Sequence, residues 1–398
     1  MVNGTVNLLG AQSGSVFLAP VTVGGQNFTT VIDTGSSDPW LVTSNFACYD
    51  LYGDPEAQSY CGFGTPYNSS KSSTYSVLAN ENFNISYADG ETLTGAMGYE
   101  SFTMGGITVP KQEFGLVNHA AWQGDGYSSG LIGFAYRTLT SAYSGTDPTK
   151  DTGGQALLYN PLFVNMYTNQ GVPPLFSMAI NRDPYNINDG GVLALGGIPN
   201  IPYSPGFATT PIIGIGVNST SGQTVYEFYT IVIDGFAISS DPSTQFNTQA
   251  ANLNKARKNL VGNGTQVIVD SGTSLLYADN TTVAAAAARA FSPPGWWDDN
   301  YGIYFVNCSA TPPAQFGVTV AGKIFYVNGV DMILYSGQDP TTGQPQCISG
   351  IQASSGLTIL GDVWMKSVLC VFDLGAEVMR FAAREYSGLT QSSVPVST

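Results

Sequence analysis

The 398-residue chain holds a single histidine, His119, and only 13 Lys plus Arg. One imidazole with no Ser or Cys motif beside it reads as a surface residue. Its isolation sets aside Ser-His-Asp, Cys-His and histidine–zinc chemistry, and no metal or cofactor is expected. The few cations face 28 Asp plus Glu, for a formal charge of −15. No basic patch is large enough to reverse that field, so nucleic acid and anionic membranes are not expected partners. No apolar run reaches the length of a bilayer, so no membrane span is expected. Charged residues are scarce at 10%, yet hydrophobics stand at 43%, which is not the signature of disorder. The polar surface must therefore rest on hydroxyls and amides. In acid, where carboxylates neutralise, only about 14 side chains would carry charge, so self-repulsion is limited. That suits a protein working in acid; an acidic, soluble secreted protein is the plainer alternative.

What is abundant points to β structure. Forty-seven Gly and 22 Pro, with many hydroxyl and amide residues and few long helical patterns, predict a mostly β protein. The length allows two domains and a large core. Eight Asn-X-Ser/Thr sequons, at Asn3, Asn27, Asn68, Asn84, Asn218, Asn263, Asn280 and Asn307, favour a secretory route. Met1-Val2-Asn3-Gly4-Thr5 has neither a basic start nor an apolar core, so any leader is expected to precede it.

Two stretches share one design. Val31-Ile32-Asp33-Thr34-Gly35-Ser36-Ser37 is an apolar β-run that delivers an Asp into a hydroxyl-rich turn containing Gly. Ile268-Val269-Asp270-Ser271-Gly272-Thr273-Ser274 repeats it 237 residues downstream. An Asp at the end of a buried strand is costly unless its oxygens find donors. Amides of the turn and the hydroxyls of Ser36 and Thr273 are placed to supply them. A pair of such carboxylates is a general acid/base device. A lone Asp-Thr-Gly is weak evidence, and Asp151-Thr152-Gly153 illustrates why: it follows a polar turn, with no strand to carry it, and reads as loop. The repetition extends further. Gly130-Leu131-Ile132-Gly133 ends 100 residues after Asp33, and Thr358-Ile359-Leu360-Gly361 ends 91 after Asp270. Similar order and spacing argue for two lobes built alike.

With these motifs the chain resembles the pepsin-like aspartic proteases, from about Ser15 to about Ala383. The resemblance implies a mostly β, bilobal fold: two similar β-rich lobes, 1–205 and 206–398, with the active-site cleft between them. It makes Asp33 and Asp270 catalytic. Thr34 and Ser271 would hold the two turns, Ser36 and Thr273 would bond the carboxylates, and Gly35 and Gly272 would leave room for substrate. The family more often has Thr where this chain has Ser271, but the hydroxyl is kept. Asn84 to Glu91 would be the flap, a hairpin that closes over substrate, with Tyr87 as its tyrosine and Ala88-Asp89-Gly90 at its tip. Trp40 would sit beneath Tyr87 and bond it. By ungapped count, Trp122 and Leu131 match positions lining the main apolar specificity pocket. Asp38-Pro39 replaces the family's usual Asn-Leu, with no consequence readable from sequence. Bridges Cys48–Cys61 and Cys308–Cys347 are implied, leaving Cys370 as a buried free thiol; spacing alone leaves the pairing open.

Along the rest of the chain, Val16 to Val31 predicts a hairpin turning at Gly24-Gly25. Ala156 to Asn169 has helical spacing with Gly171 as a stop, and Phe176–Ile180 and Gly191–Gly197 read as strands. Pro199 to Pro211 is the expected crossover. Asp241 to Gly264 is longer than the family's usual segment and concentrates Lys255, Arg257 and Lys258; it reads as a solvated loop or short helix, or as a processing site. Asn280 to Phe291 predicts a helix with capping candidates at Asp279 to Thr281, and Ser387 to Thr398 a loosely held tail.

The resulting expectation is a monomeric acid endopeptidase, secreted and extracellular or vacuolar. It would cut polypeptides beside large apolar residues and bind pepstatin-type inhibitors. Two rivals are a catalytically dead relative serving as a binding or inhibitor protein, and an acidic adhesive glycoprotein. The first would be expected to lose an Asp or its turn, and the second does not explain the duplicated turns.

Overall fold

The computed structural model describes residues 4–152, 154–182, 189–219, 221–246, 248, 260–354 and 356–384. The Lys255, Arg257 and Lys258 cluster, the tail from Ser387 and the Asn3 sequon lie outside these residues. The protein is mostly β, and it divides into two compact units. One is Met1–Pro199 with Gly214–Phe228; the other is Asn200–Ile213 with Tyr229–Thr398.

The main sheet of the first unit is built from β1 (Gly4–Ala11), β2 (Val16–Val23), β3 (Gln26–Asp33), β4 (Pro39–Tyr49), β5 (Pro55–Glu56), β6 (Ser76–Ser86), β7 (Thr92–Met104), β8 (Ile107–Ala121), β9 (Gly130–Gly133), β10 (Ala142–Ser144), β11 (Leu175–Ile180) and β12 (Gly191–Leu195). They hydrogen-bond in the order β10-β6-β7-β8-β4-β9-β3-β2-β1-β12-β11, with β5 on β4. The β2–β3 hairpin turns at Gly24 and Gly25, both at positive φ (56° and 76°), the left-handed pair that a two-residue hairpin needs. Beyond Phe28 and Thr30 the last residues of β3 are all buried, so the strand carries Asp33 into the core.

In the second unit, Gln266–Val269 is the strand that ends beside Asp270. It belongs to a five-stranded sheet ordered Thr230–Val232, Gln266–Val269, Thr358–Leu360, Leu276–Asp279, Ile351–Ser354. It also holds two four-stranded sheets and the hairpin of Val368–Asp373 with Val378–Ala383, which Ala208–Pro211 joins at its edge.

The repetition seen in sequence is a repetition of pairing. β3 runs parallel to β9, with Asp33 opposite Gly133, and β9 is antiparallel to β4. Likewise Gln266–Val269 runs parallel to Thr358–Leu360, which is antiparallel to Leu276–Asp279. In both units an apolar strand, ending in Gly133 or followed by Gly361, is wedged between the strand before the Asp turn and the strand after it. Gly133 and Gly361 permit this. A Cβ on Gly133 would lie 2.4 Å from the Ser37 nitrogen, and one on Gly361 would lie 2.2 Å from the carbonyl oxygens of Thr273 and Leu275.

The helix expected over Ala156–Asn169 is shorter. Helix α1 spans Leu162–Asn169, with Pro161 at its N-cap. Upstream, the Leu157 N–H donates to Ala142 O at 2.7 Å, so the chain there is tied to β10 rather than wound. Pro161 also disfavours helical geometry in the residue before it. The predicted helix at 280–291 is present, but Asn280–Ala284 is a π turn that leads into α2, Ala285–Arg289. Asp279 caps it by accepting the Thr282 N–H at 2.9 Å.

Both bridges are formed: Cys48–Cys61 and Cys308–Cys347, with Cys370 a buried free thiol. Burial pushes the Cys370 thiol far up, so it stays protonated and inert. Among the described residues no helix is long and apolar enough to cross a membrane.

Candidate active site

Asp33 and Asp270 share a matching pair of hydrogen bonds. Asp33 Oδ1 accepts the Gly35 N–H at 2.7 Å, and Oδ2 accepts the Ser36 hydroxyl. Asp270 Oδ1 accepts the Gly272 N–H at 2.8 Å, and Oδ2 accepts the Thr273 hydroxyl at 2.6 Å. Each carboxylate is therefore gripped by an amide two residues on and a hydroxyl three residues on. These donors offset the cost of carrying Asp33 (5% exposed) and Asp270 (9%) out of water. Thr34 and Ser271 are buried beside them. The turns are braced from behind: Ala135 N–H donates to Ser36 O at 2.8 Å, and Asp362 N–H to Thr273 O at 2.9 Å.

The β6–β7 hairpin is tied in at Tyr87, whose hydroxyl accepts the Trp40 indole N–H at 2.9 Å. Burial, then the Asp33 charge, pushes the Tyr87 phenol well above its ordinary range, so it remains a donor. Ala88, Asp89 and Gly90 at the tip are exposed. The turn closes through Tyr87 N–H to Glu91 O at 2.8 Å and Gly90 N–H to Tyr87 O at 3.2 Å.

Beneath the hairpin lies an aromatic box. Trp122 stacks on Phe63 (5.9 Å, 8°), meets Trp40 edge-on (5.2 Å, 85°) and touches Tyr87 (5.7 Å). Leu131, opposite Trp40 in the β4–β9 pair, belongs to the same cluster. Phe63 carried no signal in the sequence, since only the fold of the bridged loop brings it there.

Three further carboxyls were missed. Asp38 is fully buried and pushed up to about 6, by burial first, against the hydrogen bonds from Tyr159 and Ser141. Glu91, at the foot of the hairpin, is pushed up to about 8 by burial and then by the Asp89 charge, although the Gln123 amide opposes the shift. Glu113 is raised to about 7 by burial and Glu81. The decoy Asp151 follows a 3₁₀ turn, where it accepts side-chain amide protons from Asn84 (2.9 Å) and Asn82 (3.3 Å) of β6. His119 is exposed and stacks on Tyr49 at 6.2 Å.

Known proteins agree with this geometry. Residues 16–384 match the sequence model of the eukaryotic aspartyl protease family. A probable aspartic-type endopeptidase of Aspergillus fumigatus is 40% identical over 386 residues, covering 96% of this chain and 81% of its own. Mouse gastricsin is 30% identical, covering 88% and 76%, and penicillopepsin-1 of Penicillium janthinellum is 26% identical, covering 92% and 94%. In fold, the crystal structure of the aspartic proteinase from Irpex lacteus superposes with a TM-score of 0.67 at 16% identity, over 98% of this chain and 99% of that one. Twin Asp turns on twin strand arrangements and a family match across nearly the whole chain lead to one conclusion: the chain belongs to the eukaryotic aspartyl protease family, as a pepsin-like, aspartic-type endopeptidase.

Proposed function

We propose that Asp33 and Asp270 act as a pair on one water, hydrolysing peptide bonds in acid. Two like charges on one water cannot both ionise comfortably, so the pair shares a proton at its working pH. The ionised member takes a proton from the water, which attacks the scissile carbonyl. The protonated member donates to the carbonyl oxygen, and a proton then reaches the leaving nitrogen. Thr34 and Ser271 steady the turns, Ser36 and Thr273 fix the carboxylates, and Gly35 and Gly272 leave space for the peptide. Tyr87 and the tip Ala88-Asp89-Gly90 close over the bound chain and exclude water.

The observation that carries this reading is the identical donor set, amide at +2 and hydroxyl at +3, on both aspartates. Work in acid is supported by Asp38, Glu91 and Glu113, three carboxyls whose environments favour the neutral form. Secretion, or delivery to a vacuole, is supported by the two bridges, which persist in oxidising compartments, and by the sequons. The aromatic box of Trp40, Phe63, Trp122 and Tyr87, with Leu131, supports a preference for large apolar residues at the cut. The protein acts as a monomer and binds pepstatin-type inhibitors. Digestion of denatured haemoglobin in acid, with and without pepstatin, tests the proposal; intact substrate, or cleavage indifferent to pepstatin and to Asp33→Asn, sinks it.

A further inference from the structure

The tip Ala88-Asp89-Gly90 is exposed, whereas the residues on either side of it are held. On the β6 side, Tyr87 is bonded by Trp40 and rests against Trp122. On the β7 side, Glu91 is buried, 8% exposed, and its Oε1 accepts the backbone N–H of Gln123 at 2.7 Å. Its own N–H donates to Asp89 Oδ1 at 3.1 Å, which shapes the tip.

Gln123 is a firm place to tie to. Its neighbour Gly124 donates to Cys61 O at 3.1 Å, and Gly126 donates to Gly62 O at 2.7 Å. The backbones are so close that a Cβ on Gly124 would lie 2.4 Å from Gly62 O. Cys61 in turn is bridged to Cys48 of β4. The 122–126 loop is thus fastened to a disulfide-braced segment, and Trp122, which carries the Tyr87 ring, adjoins the anchored amide.

We propose that Glu91 is a positioning residue: its side-chain bond to the Gln123 amide holds the returning strand of the hairpin to the 122–126 loop and so keeps Tyr87 seated on Trp122. Without that bond the tip keeps its backbone closure, Tyr87 N–H to Glu91 O, but loses its side-chain tie to the 122–126 loop, and the tyrosine is seated less firmly. The neutral acid performs this role as well as the anion does. A carboxyl raised to about 8 is protonated in acid, where its carbonyl oxygen still accepts Gln123 N–H and burial costs far less than for the charged form. Glutamine at this place keeps the accepting oxygen; alanine removes it. This role rests on the hairpin being the flap of the proposed mechanism.

The test compares the full-length enzyme with its E91A and E91Q variants on a peptide substrate with large apolar residues at the cut, in acid. E91A is expected to lower kcat by about 10-fold with a smaller change in KM, because a flap residue is misplaced rather than a binding surface lost. E91Q is expected to recover most of that loss. Amide hydrogen exchange should quicken in E91A at residues 87–91 and stay unchanged in β2 and β3. Wild-type kinetics in E91A, a loss that E91Q does not recover, or faster exchange spread over the whole unit would each overturn the proposal. Asp33→Asn on the same substrate separates the two levels. If it stays active, the proposed mechanism fails; if it is dead while E91A equals wild type, only the role of Glu91 fails.

Discussion

The carboxyl of Asp38 accepts the backbone N–H of Ser141, 103 residues further along the chain, at 2.9 Å. Tyr159 donates its hydroxyl to the same oxygen, and the Asp38 carbonyl receives the Gly133 N–H at 3.1 Å. One buried acid thus joins the end of the Asp33 turn to β9 and to the segment before β10. Its folded pKa, about 6, exceeds the ordinary 3.8, so folding favours the protonated form. Stability from this group is complete below pH 3.8 and is lost as pH rises through 6, on the order of 3 kcal/mol. Glu113 and Glu91 act in the same sense, losing their contribution as pH climbs through about 7 and about 8. The melting temperature should therefore fall steadily from mild acid toward pH 8, and Asp38→Asn should flatten the decline near pH 6. Calorimetry across that range checks this; a melting temperature that rises toward neutrality would contradict it.

Glu100 works at the acid end. Burial alone would raise it, but hydrogen bonds from Ser72, Thr74, Tyr67 and Ser101 outweigh burial and hold it below the ordinary glutamate value. Its contribution is present above the unfolded pKa and is lost only as pH drops through the lower folded value. Tyr67, donating at 2.6 Å, is one removable partner. Tyr67→Phe should shift the onset of acid unfolding to higher pH, read by circular dichroism. An unchanged onset would show that the other donors suffice.

Sequence exposed the parts of this protein that are locally encoded. An apolar run, an Asp, then Gly and a hydroxyl residue within three positions specify strand, turn and carboxylate grip together, which is why Asp33 and Asp270 could be read directly. Tyr87 and Trp40 were legible through the order of motifs. What stayed hidden depends on distant partners. Phe63 reaches Trp122 only because the Cys48–Cys61 loop folds back. Asp38 and Glu91 look like ordinary surface acids until Ser141, Tyr159 and Gln123 are seen against them. The helix start was misplaced because Ala156 to Asn160 has helical spacing, yet Leu157 is bonded to Ala142.

Asp33→Asn and Asp270→Asn should each lower kcat/KM by about 10³-fold or more while leaving the fold intact. Asp151→Asn should stay near wild type in activity. It keeps one accepting oxygen for Asn84 or Asn82 and loses the other, for a cost of about 1 kcal/mol in stability. If Asp151→Asn were as inactive as the other two, the distinction between motif and decoy would collapse.

Gly133→Ala and Gly361→Ala force a methyl against backbone that cannot swing aside. Each should cost about 1–3 kcal/mol and displace an Asp turn, so activity should fall further than stability does. Urea unfolding together with kcat measurement separates the two effects; a variant with a native melting curve and native kcat would refute the close-approach requirement.

The last expectation concerns what is cut. Trp122 is 8% exposed, walled by Phe63 and Trp40, with Tyr87 against it. A substrate site walled by such rings would discriminate through apolar area, at about 25 cal/mol per Å² buried. Phe and Leu at the cut should therefore outrank Ala, and a charged side chain would lose its water without a partner. Asp89, exposed at the hairpin tip, is a group suited to pair a substrate Lys. Lys acceptance should accordingly be weak, and Asp89→Asn should abolish it while leaving Phe cleavage intact. Trp122→Ala should compress the ratio between large and small apolar residues. It removes both the wall and the seat of Tyr87, so kcat should drop along with the selectivity. Profiling a peptide library with wild type, Trp122→Ala and Asp89→Asn decides the matter. A dominant preference for Asp, Glu or Gly before the bond would show that this aromatic box does not choose the substrate.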